Sequence, residues 1–144
     1  MFHKIMQSVF LFLVLACSIS ARILSIQSTS GQSAKVGDNY NITFNTASHI
    51  QNWADYSVLI GWAVHPLPDP ISPGAFFGSA IDLTSIGKVA TGLGNFSTEV
   101  FIDPVKFDIT TVTTYTLNAA ITSVIGASLE TSVRFLNTTI TIEP

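Results

Sequence analysis

Tyr40-Asn41-Ile42-Thr43-Phe44-Asn45 places an aromatic or aliphatic side chain at every second position and a polar one between. A strand turns successive side chains to opposite faces, so such a run buries one face and wets the other. The same period of two returns along the chain. Val58, Ile60, Trp62 and Val64 form one row, with Leu59, Gly61 and Ala63 opposite. Phe96, Thr98, Val100 and Ile102 form another, and Tyr115, Leu117, Ala119 and Ile121 a fourth. Ile23 to Gln27 and Phe76 to Leu83 read as two further strands. The last, Ser132 to Ile142, changes phase. Val133 and Phe135 are odd while Leu136, Ile140 and Ile142 are even, which one inserted residue near Phe135 and Leu136 would reconcile as a bulge.

Turn-forming clusters separate these runs: Gly31, Val36-Gly37-Asp38-Asn39, Pro66-Leu67-Pro68-Asp69-Pro70, Gly92-Leu93-Gly94-Asn95 and Asp103-Pro104. No stretch carries a repeat of 3.6 residues. About seven short strands punctuated in this way predict an all-β fold, an immunoglobulin-like antiparallel β-sandwich. Tyr115-x-Leu117 resembles the tyrosine corner of such folds. The Cys-Trp-Cys set of antibody-type domains is missing, which excludes a conventional one.

The first 21 residues read differently. Lys4 supplies a positive charge, Val9 to Ala16 is an unbroken apolar run, and Cys17-Ser18-Ile19-Ser20-Ala21 offers small residues for cleavage. That order describes a secretory signal peptide. The apolar run falls short of the roughly 20 residues that span a bilayer, so no stable membrane anchor is expected. Cleavage is expected after Ala21, with Ile19 at −3 larger than the usual alanine, leaving residues 22–144 as one domain, secreted and extracellular. The only cysteine, Cys17, leaves with the leader, so the mature chain has neither disulfide nor thiolate metal site. Apolar burial must hold it together. Five basic side chains (Arg22, Lys35, Lys88, Lys106, Arg134) stand against nine acids, and no basic patch forms, which makes nucleic acid a poor partner.

Catalytic signatures are missing. His49 and His65 stand too far apart for a helical metal pair, and there is no nucleophile elbow, phosphate-binding loop or zincin motif. Asp55, Asp82, Glu99, Asp103, Asp108 and Glu130 could supply paired carboxylates, but Glu99 lies on a polar strand face and Asp103 and Asp108 flank a turn. No enzyme activity, cofactor or metal is expected. Asn41-Ile42-Thr43, Asn95-Phe96-Ser97 and Asn137-Thr138-Thr139 are glycosylation sequons, and strand parity turns Asn41, Asn95 and Asn137 away from the core. His49 to Trp62 is the most distinctive segment. Parity makes Trp62 a core residue, whereas Gln51, Trp53, Asp55 and Tyr56 are candidates for contacting a partner. Trp53 with Tyr56 could also stack on a sugar ring, making a glycan an alternative ligand of a cell-wall or carbohydrate-binding module.

Several segments taken in order carry a resemblance. They are Arg22-Ile23, Ile50-Gln51-x-x-x-Asp55 leading to Gly61, Phe77-Gly78-Ser79, Gly94-Asn95-Phe96-Ser97, Tyr115 to Ser128, and Asn137 to Ile142. Their co-linear order resembles the necrosis-inducing secreted protein family of fungal effectors. The resemblance implies secretion into the plant apoplast or uptake into host cells. It also implies suppression of pattern-triggered immunity by binding the kinases associated with immune receptors, with no chemistry of the protein's own. Trp53 and Trp62 stand where family members carry smaller residues. The chain stops at Glu143-Pro144 without the extension of some relatives, which bears on cell-death induction.

Overall fold

A computed structural model describes residues 20–29, 33–66, 69, 71–89, 92 and 94–144. The expected leader up to Ile19, Gly31, Leu67, Pro68, Pro70 and Leu93 lie outside these residues. The described residues are all-β, with eight strands and no helix: β1 (Ser20–Ser28), β2 (Ala34–Lys35), β3 (Asn39–His49), β4 (Trp53–Val64), β5 (Phe76–Asp82), β6 (Gly94–Phe101), β7 (Thr113–Ile125) and β8 (Glu130–Glu143). Two sheets form, a smaller one in the order β1-β3-β6 and a larger one in the order β2-β8-β7-β4-β5. One core draws on both. Ile23, Ile42, Phe44 and Val100 from the smaller sheet join Val58, Ile60, Trp62, Leu117, Ile121 and Ile142 from the larger. These are the alternating positions that the period of two marks, and branched and aromatic residues suit a pleated, half-buried surface.

Three expectations need correction. The extra strand is β2, two residues that pair parallel to β8 through Ala34 and Ile142; so short a run has no period to read. Val64 ends its strand 60% exposed rather than joining the row of Trp62, because β4 has passed the edge of the core there. The bulge expected in β8 is missing, since β7 and β8 pair without a shift from Thr113↔Ile142 to Ile125↔Glu130. With the register unbroken, Ile140 and Ile142 turn inward while Val133 turns out to solvent. The bulge between β4 and β7 lies instead at Tyr56, between Asp55↔Ser123 and Ser57↔Thr122. It reverses the phase of β4, so Trp53 and Asp55 are buried along with Val58, Ile60 and Trp62. Leu83 N–H donates to the Tyr56 carbonyl and Asp55 N–H to the Val89 carbonyl, which supplies the backbone partners that β5 does not reach far enough to give.

Candidate functional site at the start of β4

Asp55 is the buried acid around which this corner is built, with 2% of its surface exposed. Its Oδ2 accepts from Ile23 N–H at 2.8 Å, and its Oδ1 accepts from Trp53 Nε1 at 2.8 Å and Ser123 Oγ at 2.6 Å. Arg134 Nη2 donates to both carboxylate oxygens, at 3.0 and 3.2 Å, while its Nη1 donates to the Ile23 carbonyl at 2.8 Å. Desolvating a carboxylate is expensive, and this one is offset by a cation and three further donors.

The cluster also solves a problem of the smaller sheet. β1 is an edge strand, and its pairing with β3 slips between Ile23 and Ser25. An edge strand offers unpaired backbone groups. Asp55 and Arg134 take the N–H and the carbonyl of Ile23, so an ion pair of the larger sheet clips the edge of the smaller one. Trp53 closes the corner. Arg134 and Arg22 lie 5.0 and 5.2 Å from its ring centroid, and the His49 ring stands 4.9 Å away. Ser20 Oγ donates to the Trp53 carbonyl at 2.6 Å and accepts from its N–H.

The four residues singled out for partner contact therefore divide. Trp53, 8% exposed, and Asp55 belong to the buried clip. Gln51 is exposed in the turn ahead of β4, with its N–H donating to His49 Nδ1 at 3.3 Å. Tyr56, 43% exposed, faces out over a hollow of about 400 Å³ that it shares with Thr122, Val124 and Val133. Trp53 and Tyr56 thus form no common stacking platform. Arg134 is the functional residue of this corner that stands outside the His49–Trp62 segment. Its signal was its even position in β8, in phase with Ile140 and Ile142, which predicts an inward charge and hence a buried acid to meet it.

The outer faces of the two sheets differ in chemistry. On the smaller, Thr43 and Ser97, the hydroxyl residues of two sequons, touch at 2.9 Å, and Asn45 Nδ2 donates to Ser25 Oγ at 3.0 Å. Asn41 is half-buried on the middle strand and Asn95 is exposed. On the larger, the cross-strand rows Ser57–Thr122–Val133 and Leu59–Ala120–Phe135 carry no charge. Leu59 and Val133 are 44% and 56% exposed there, and the exposed Asn137 follows Phe135 on the same face. His65 stands apart, with Nδ1 3.1 Å from Thr116 Oγ1. Among the described residues no three His, Cys, Asp or Glu side chains gather in a group that could hold a metal ion.

The model of the Nis1 family matches residues 19–141. No curated protein matches the chain.

Proposed function

The chain belongs to the Nis1 family, and from this premise we propose that it is a secreted fungal effector that suppresses plant pattern-triggered immunity by binding receptor-associated kinases. The family match over most of the chain carries the reading. The protein works by contact, with no chemistry of its own, and adopts an immunoglobulin-like β-sandwich. The sheet orders β1-β3-β6 and β2-β8-β7-β4-β5 around one core support that architecture.

The outer face of the larger sheet is the surface that meets the kinase. It combines exposed Tyr56, Leu59 and Val133 with neighbours that cost little to desolvate, as the centre of an interface requires. The smaller sheet's outer face is the more polar, with Asn41, Thr43, Asn45, Asn95 and Ser97 across β3 and β6, and it carries two sequons where the larger sheet's outer face carries one, at Asn137. The test is a titration of the secreted protein against the cytoplasmic domain of a plant receptor-associated kinase. The Tyr56→Ala/Val133→Ser double variant should weaken binding at least tenfold, about 1.4 kcal/mol, with the fold intact by circular dichroism. Equal binding by the variant would remove this face, and no binding by either protein would remove the kinase. Retention on chitin or β-glucan that Tyr56→Ala abolishes would favour the glycan alternative instead.

A further inference from the structure

We infer that the leader is cut between Ser18 and Ile19, so that Ser20 and Ala21 are part of the mature domain. The inference rests on the reading of a secreted chain. It concerns a processing site that the cleavage expected after Ala21 would put three residues later. A signal peptidase hydrolyses the Ser18–Ile19 peptide bond with one water, leaving a carboxyl on Ser18 and an α-amino group on Ile19.

Three observations converge. β1 begins at Ser20, with Ser20↔His49 and Ala21↔Ser48 in register with β3, so the strand's first two residues precede the expected start. Both are built into the interior. Ala21 is 1% exposed, and Ser20 Oγ serves both backbone groups of Trp53, accepting from its N–H and donating to its carbonyl. A chain starting at Arg22 would leave that N–H and carbonyl, at the first residue of β4, without their hydroxyl partner. The recognition chemistry agrees, since signal peptidases read small side chains at −3 and −1. A cut after Ser18 presents Ala16 and Ser18; a cut after Ala21 presents the bulkier Ile19 at −3. A cut after Ser20 also satisfies that rule, with Ser18 at −3, but it discards the serine. The Nis1 family match itself starts at residue 19.

The test is to express the full chain in a secreting yeast, collect the protein from the medium, remove glycans and read its N-terminus by Edman degradation and intact mass. The expected start is Ile19-Ser20-Ala21-Arg22. A start at Ala21 or Arg22 would overturn the inference while leaving secretion intact. A chain that keeps Met1 would overturn both the inference and the reading of a leader. A second measurement addresses the physical reason. Chains beginning at Ile19 and at Arg22, each released from a cleavable tag, are melted side by side. The shorter chain should melt about 5 °C lower; equal melting would remove the structural argument for the site.

Discussion

Trp53 and Trp62 lie on one strand, roughly 30 Å apart along it at the usual rise per residue, yet their surroundings are opposites. Around Trp53 the interior is polar and densely bonded, with Nε1 donating to Asp55 and Arg134 stacked nearby, and Arg134 Nε is the one nitrogen of the guanidinium without a partner. Trp62 is fully buried among rings, with Phe107 edge-on at 5.1 Å and Phe107 in turn 4.9 Å from Tyr115, and its Nε1 has no hydrogen-bond partner. One end of β4 is held by directional bonds and the other by packing. Bonded ends fail when a partner is removed, whereas packed ends fail when volume changes.

The largest effect should come from cutting the clip. Asp55→Ala leaves the Arg134 guanidinium, 20% exposed, without its counter-charge and should cost about 3 kcal/mol in urea unfolding. Adding Arg134→Met should recover part of that loss, because the uncompensated charge goes too, while the Ile23 N–H and carbonyl, Trp53 Nε1 and Ser123 Oγ stay without these partners. A double variant no more stable than Asp55→Ala would show that the corner depends on packing after all.

The next pair compares the two tryptophans directly. Trp53→Phe deletes a bond to an ionised carboxylate and should cost about 1.5–3 kcal/mol. Trp62→Phe deletes an N–H that bonds to nothing, so only the small cavity counts, about 1 kcal/mol. Equal losses in denaturant titrations would erase the distinction between the ends.

The position of the clip was the least legible part of the sequence, and the reason is a bulge. The period of two located the strands and most of the core correctly. Nothing in Asp55-Tyr56-Ser57 announces an extra residue, because a bulge is decided by backbone pairing with a distant strand and needs no special side chain. Read without it, Trp53 and Asp55 share a face with Leu59 and look like surface residues. The same blindness worked in reverse in β8. There the odd-phased Val133 and Phe135 suggested a bulge, when their actual role is to carry apolar groups on the outer face. Asn41, Asn95 and Asn137 needed only parity, and parity sufficed to turn them from the core.

Smaller effects refine the packed end. A Cβ on Gly78 would stand 2.6 Å from Trp62 Nε1. Gly78→Ala should therefore cost about 1–3 kcal/mol by overpacking, seen as a lower melting temperature in calorimetry. A neutral result would mean that the indole has room to shift. Val133→Thr, on the outer face of the larger sheet, touches neither end and should change stability by less than about 0.5 kcal/mol. A larger loss in the same assay would place part of the core outside the two sheets.

The parallel pairing of β2 with β8 carries a consequence for biogenesis. Ala34 meets Ile142, and Val36 N–H donates to the Glu143 carbonyl at 3.0 Å, so an early segment waits for β8. β8 is the last in chain order of the strands among the described residues, yet it takes an interior place in the larger sheet, between β2 and β7. Until β8 pairs, β7 therefore has one side bare. Contacts so distant in sequence form slowly, and an unpaired strand edge invites association with other chains. Folding is thus a period of exposure for β7 that lasts until β8 arrives.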